Sequence, residues 1–244
     1  MKTIIYLTDN TLDPILATKC REKLLEAAGD HPIISVSQKP IELGTNICVG
    51  EIGRSWMSIM KQQLVGLHAA QTKHIAIAEH DCLYTREHFD WTPPRDDVFY
   101  YNQNHCLVEW HGNHPELDGM YSRWSNGRNA LSQLICSREL LIACVEERLS
   151  LIEKGLEIMR KAGEPGACPA GFVEAAVRAT SGEAKYLMPY LRDFVSKYTH
   201  EDFYTTIPNL DIRHKTNFTG PRRGKHRTYD IPYWGVFKDL WEAK

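Results

Sequence analysis

Residues 4–36 constrain the fold more than any other stretch of this chain. Ile4-Ile5-Tyr6-Leu7-Thr8 is a continuous run of strand-forming residues that stops abruptly at the polar turn Asp9-Asn10. Residues 13–28 then carry Leu16, Leu24 and Leu25 at helical spacing, and Pro32 to Val36 forms a second strand-like run. A strand, a helix and a strand in succession predict a parallel sheet of the mononucleotide-binding kind, whose ligands sit beyond the carboxyl ends of the strands. Asp9 lies at one such end.

The run from His74 to Asp81 supplies a second. Its apolar residues give way to Glu79, His80 and Asp81. If the strand continues to its last residue, Glu79 and Asp81 share one face and His80 points to the other. Two carboxylates on one face make a hard-oxygen site suited to magnesium or manganese, ions that complete their shells with water and substrate phosphates. The same residues also fit an acidic strand end that caps the next element.

Between these runs, Gly44 to Arg54 reads as a loop, and Ser55 to Ala70 as an amphipathic helix through Trp56, Ile59, Met60, Leu64 and Leu67. Phe89 to Pro94 reads as a turn and Val98 to Tyr101 as a strand. Asn129 to Ile152 carries apolar residues at helical spacing and is expected to be the main helix of the second half. A glycine- and proline-bearing break at 163–171 precedes two shorter helical segments near 171–179 and 183–197. A strand from Ile207 to Ile212 leads into the basic segment Gly220 to Arg227.

At 244 residues, 43% hydrophobic and 25% charged, the chain is expected to fold as one domain. Its apolar runs are too short to span a bilayer, and Met1-Lys2-Thr3 leads straight into a strand, so no membrane partner and a cytoplasmic location are expected. The formal net charge of −2 gives no global attraction to nucleic acid, so contact with a polyanion would need a local patch. Seven scattered cysteines without a Cys-x-x-Cys pair predict reduced, mostly buried thiols. His111 and His114 have a spacing compatible with zinc, and with His105 and Cys106 they also fit a polar loop. Trp91, Tyr100, Tyr101 and Trp124 are candidates for stacking on a sugar or base, or for ordinary packing.

Thr8-Asp9-Asn10, Arg54-Ser55, Glu79-His80-Asp81 and Asp211-Ile212-Arg213-His214 occur in an order that resembles GT-A type, nucleotide-sugar-dependent glycosyltransferases. The longer contexts, Glu79 to Tyr84 with Tyr100-Tyr101-Asn102, and Asp211 to His214 with Asn217-Phe218-Thr219, look like a little-characterised group that includes phage and bacterial proteins. The resemblance covers residues 1–110 and 205–235. It implies an α/β fold, a Rossmann-like GT-A domain with a mostly parallel central sheet flanked by helices. Within a single domain spanning 1–244, residues 1–110 would bind the nucleotide sugar, 111–204 would form a mainly helical acceptor side, and 205–244 would carry the metal-site strand, basic loop and tail.

The resemblance also implies site residues. Asp81 and His214 would hold a divalent metal, Mn2+ or Mg2+. Thr8, Asp9, Asn10, Arg54 and Glu79 would bind the donor, although Glu79 stands where the family's motif has its first aspartate. Arg222 and Arg223 suit a basic lid closing on a diphosphate, a solvated loop or a DNA-backbone contact. Arg213 can clamp a phosphate or pair with Asp211. Glu109, Glu139 and Asp118 are candidate general bases. The expected activity is metal-dependent transfer of a hexose or pentose from a nucleoside diphosphate sugar to a hydroxyl acceptor. That acceptor is either a hydroxylated base in phage DNA or a glycan or small molecule, and a phage-encoded chain would act in the host cytoplasm. A metal-dependent phosphodiesterase or nucleotidyltransferase is the alternative enzyme, and a noncatalytic nucleotide-binding protein the alternative without turnover.

Overall fold

A computed structural model describes residues 1–110, 118–123, 129–161, 197–217 and 230–240. Its frame is a seven-stranded sheet in the order β10-β6-β9-β4-β1-β2-β3. These strands are β1 (Thr3–Thr8), β2 (Ile33–Ser37), β3 (Thr45–Cys48), β4 (His74–Glu79), β6 (Val98–Asn102), β9 (Leu134–Ser137) and β10 (Thr199–Phe203). Every neighbouring pair is parallel except the two made by β9. A second sheet, in the order β5-β11-β7-β8, comprises β5 (Cys82–Leu83), β7 (His105–Glu109), β8 (Tyr121–Arg123) and β11 (Asn209–Arg213). The short pair β12 (Asp230–Ile231) and β13 (Gly235–Val236) follows. The fold is therefore α/β with a mostly parallel central sheet.

Helices cover both faces of that sheet. Helix α1 (Pro14–Ala28) begins where Asp13 accepts hydrogen bonds from the Ile15 and Leu16 amides, with proline at the first helical position. It buries Leu24 and Ala27 against Ile4, Tyr6, Ala76 and Ala78. On the other face, α2 (Trp56–Ala69) and α4 (Arg138–Lys161) pack over Ile5, Leu7, Val36, Ile75 and Ile77. Gly66 permits the close approach of α2, since a Cβ there would come within 2.6 Å of Ile5 Cγ2. A short helix, α3 (Arg86–Asp90), follows β5.

Several expected elements differ. Residues 45–48 of the expected loop form β3, an edge strand whose half-exposed residues lack an apolar alternation. The expected helix over 129–152 is divided, because Leu134, Ile135 and Cys136 form the central strand β9, buried on both faces, and helix starts only at Arg138. Phe89, expected in a turn, is a fully buried residue of α3. His105 and Cys106 are buried in β7 instead of a polar loop. Among the described residues, the 111–204 segment contributes the strands β8, β9 and β10 as well as helix. The segments expected to be helical at 171–179 and 183–197 lie outside the described residues except for Lys197, as do His111, His114 and Trp124. Trp91 and Tyr100 pack together, their ring centroids 5.1 Å apart, and Trp91 stacks on Phe203. Among the described cysteines all are free thiols and only Cys48 is exposed. No helix among the described residues is long and apolar enough to cross a membrane.

His88 sits fully buried among Tyr84, Phe89 and Phe203. Burial pushes it down from 6.5 to about 3, with the positive charge of Lys2 adding to the effect. Below pH 6.5 the unfolded chain takes up a proton that the folded protein refuses, so this contribution to stability is complete above pH 6.5 and is lost progressively toward pH 3. Urea unfolding should show it as a slope of up to about 1.4 kcal/mol per pH unit, flattened in His88→Phe.

Candidate functional site

The chain runs outward from β1 through β2 to β3, then returns to place β4 on the other side of β1. Connections therefore leave in opposite directions from the β1/β4 pair, and a crevice opens at its carboxyl end. Thr8 and Glu79 end the two strands there. A cavity of about 90 Å3 occupies the crevice, lined by Thr8, Asp9, Arg54, Glu79, His80 and Asp81, and floored by Gln38, Ser58 and Gln62.

The strand alternation stops at Glu79. Residues 80 and 81 form a turn, which brings His80 round beside Asp81 instead of sending it to the opposite face. The turn is pinned to the second sheet, because the Asp81 carbonyl accepts a hydrogen bond from the Ile212 amide at 2.8 Å. Asp81 Oδ2 meets His214 Nε2 at 3.3 Å and accepts from Asn217 Nδ2 at 2.8 Å. The Asn217 side-chain oxygen in turn accepts from the His214 amide. One potential ligand atom from each of His80, Asp81 and His214 lies within 4.8 Å of the others. Two imidazoles and a carboxylate fit a divalent transition ion, and the neutral ring is the form that binds metal.

The electrostatics are uneven. Burial would raise the Asp81 pKa, but the hydrogen bond from His214, with His80 and Arg213 nearby, holds it at about 2. Burial pushes Glu79 up to about 8, reinforced by the charges of Asp81 and Asp211. Burial likewise raises Asp211 to about 6, although Arg213 opposes the shift through a 3.1 Å hydrogen bond. Burial also holds His80 below its ordinary value, against the pull of Asp81 and Asp9. The crevice thus concentrates negative charge on Asp81 and raises the proton affinity of the Glu79 carboxyl.

Thr8, Asp9, Arg54, Glu79 and Asp81 come together in the crevice, and His214 joins them through Asp81. Asp9 forms an ion pair with Arg54, which also donates to the Thr216 carbonyl. Asn10 is engaged elsewhere, its side-chain oxygen accepting from the Gln38 and Lys39 amides at 2.9 and 2.8 Å. Arg213 bonds Asp211, and its register partner Glu109 shares its face of the second sheet. Asp118 lies in the turn between β7 and β8. Glu139 is carried away from the crevice: β9 runs antiparallel to β4, so the start of α4 lies beside His74 and Lys73, at the opposite edge of the sheet. Arg222 and Arg223 lie outside the described residues.

Sequence reasoning missed the polar face of α2. Ser55 caps the helix through the Ser58 amide, and Gln62 donates to the Thr8 and Val36 carbonyls at 2.8 and 3.0 Å. The spacing of Ser55, Ser58 and Gln62 on one helix face was the available signal.

No family model and no curated protein matches the sequence. Among solved structures, the chain is similar to a glycosyltransferase involved in glycosylation of the major capsid of PBCV-1, at a TM-score of 0.43 and 10% identity, covering 83% of this chain and 82% of that one. It is similar to the glycosyltransferase GlyE of Streptococcus pneumoniae TIGR4 at 0.42 and 9%, covering 82% of this chain and 46% of GlyE. A third is 2-C-methyl-D-erythritol 4-phosphate cytidylyltransferase from Thermus thermophilus, at 0.36 and 11%, covering 79% of this chain and 100% of that enzyme. Similarity this distant carries no argument about substrate or chemistry.

Gln62→Met should test the crevice floor. The thioether has no N–H to donate, so two carbonyls at the strand ends lose their side-chain partner at a cost of about 1–3 kcal/mol each if water does not replace it. Urea denaturation should show a loss of about 2 kcal/mol or more.

Proposed function

We propose that the protein is a metal-dependent glycosyltransferase that moves a sugar from a nucleoside diphosphate donor to a hydroxyl acceptor. The observation that carries this reading is an ionised Asp81, bonded to His214, at the carboxyl edge where β1 and β4 diverge. That edge is where open α/β sheets receive nucleotides. The motif resemblance supports the same assignment.

A divalent cation held by Asp81 and His214 would supply positive charge opposite the diphosphate that departs. The protein's own residues have separable tasks. Gln38, Ser58 and Gln62 offer polar groups along the floor of the crevice for the nucleoside, and Asp9 and Arg54 stand at its side. Arg213 is placed to add preorganised positive charge near Asp81. Glu109, beside Arg213, is the candidate to accept the acceptor's proton, with Asp118 the other. The Arg222 and Arg223 segment would close over the diphosphate or, for a DNA acceptor, lie on its backbone. Turnover on duplex DNA would then fall steeply with salt, whereas turnover on a glycan or small molecule would not.

One observation favours a second reading, nucleotidyl transfer or phosphodiester hydrolysis. The sequence offered no carboxylate cluster beyond Glu79 and Asp81, but Asp211 is close enough to raise the proton affinity of Glu79. Product analysis separates the two. Glycosyl transfer releases a nucleoside diphosphate from the donor, nucleotidyl transfer releases pyrophosphate from a nucleoside triphosphate, and hydrolysis of the donor's diphosphate releases a nucleoside monophosphate and a sugar phosphate. Chromatography should detect nucleoside diphosphate formed only with donor and divalent metal. Asp81→Ala should slow its formation by more than about a hundredfold, since residues that merely orient metal ligands already contribute about 10–100-fold. Undiminished turnover by that variant would remove Asp81 from the metal site.

A further inference from the structure

The motif resemblance places a metal on Asp81 and His214 and gives no such role to the residue between Glu79 and Asp81. In this chain that residue is a histidine, and the turn after β4 carries it into the crevice. Its ring lies near that of His214, with centroids 6.1 Å apart. His80 and Asp81 each retain 13% of their side-chain exposure and His214 4%, so the three converge in a nearly closed space.

Each imidazole has a threonine hydroxyl beside its Nδ1. Thr216 Oγ1 lies 2.8 Å from Nδ1 of His214, which leaves Nε2 facing Asp81. Thr8 Oγ1 lies 2.9 Å from Nδ1 of His80, and Asp9 Oδ1 lies 3.6 Å from the same nitrogen. An ionised carboxylate can only accept, so Asp9 favours the tautomer with hydrogen on Nδ1 and the lone pair on Nε2. Asp9 is itself fixed by Arg54 and by the Thr11 amide and hydroxyl at 3.0 and 2.7 Å. Fixing one ring nitrogen with an oxygen partner so that the other can coordinate is how proteins orient metal-binding histidines.

We propose that His80 is a third metal ligand through Nε2, making a two-histidine, one-aspartate centre for which Thr8, Asp9 and Thr216 are positioning residues. Thr8 and Asp9 thereby act on the metal instead of on the donor. Two imidazoles make the centre prefer Mn2+ or another transition ion over Mg2+, whose natural ligands are oxygens. The inference rests on the proposed metal site but not on glycosyl transfer, and its test uses no nucleotide.

The full-length protein is loaded with Mn2+ alone, and electron spin echo envelope modulation counts the nitrogens bound to the ion. Two directly bound nitrogens are expected in the parent, and one or none overturns the proposal without reference to any variant. His80→Gln should retain one nitrogen and weaken Mn2+ binding by at least about tenfold in calorimetry; two nitrogens in that variant also overturn it. Asp9→Asn should keep two nitrogens but alter the coupling of one, a change that a purely structural role would not produce. Mn2+ should bind at least about tenfold more tightly than Mg2+, and equal affinities contradict the assignment. A two-nitrogen centre in a protein that turns over no nucleotide sugar would retain this inference and remove the glycosyltransferase reading.

Discussion

Asp81 joins the two sheets, and the arrangement of the crevice depends on that junction. Its backbone carbonyl receives the Ile212 amide, and its carboxylate receives Asn217 while meeting His214. Strand β4 therefore does not simply stop. It turns at residues 80 and 81, pairs onward through β5 with β11, and draws a segment more than 130 residues distant in sequence over its end. A buried carboxylate needs such partners, because an uncompensated charge in this position would be protonated or expelled. Asp81 remains ionised because histidine and asparagine surround it, whereas burial and the neighbouring carboxylates raise the proton affinity of Glu79.

This contrast gives chemically similar groups different work. A cation arriving at the crevice meets one carboxylate already charged, and to bind His214 it displaces the Nε2 proton that Asp81 accepts in the free protein. Burial raises the proton affinity of Glu79 and Asp211, and positive charge bound nearby would lower it again. Arg213 already favours the ionised form of both groups in the free protein, most directly through its bond to Asp211.

Much of the frame was legible in the sequence because it is written in local patterns. The continuous run at residues 4–8, the helix over 13–28 and the run at 74–81 appear in the structure within one or two residues of their expected bounds. The failures have physical causes. Leu134, Ile135 and Cys136 form a short apolar run, which periodicity cannot assign to strand or helix when both faces are buried. Residues 45–48 become a strand by pairing with β2, not by their own composition. His80 was misplaced because strand alternation was extended past Glu79, where the turn begins. The proximity of Asp81, His214 and Asn217 is tertiary, and neighbouring residues carry no trace of its geometry. Gln62 was overlooked because attention to apolar spacing ignores polar groups that a core requires when strands diverge.

The proposed function requires the β1/β4 crevice to receive a metal-bound nucleotide sugar. Its most direct test is thermal unfolding of the protein against a panel of nucleoside diphosphate sugars, each with and without Mn2+, because a ligand that prefers the folded state raises the unfolding temperature. The account predicts that a donor stabilises the protein only when Mn2+ is present, and by more than Mn2+ alone. Stabilisation by a donor to the same extent without metal, or by none of the panel in its presence, would contradict it.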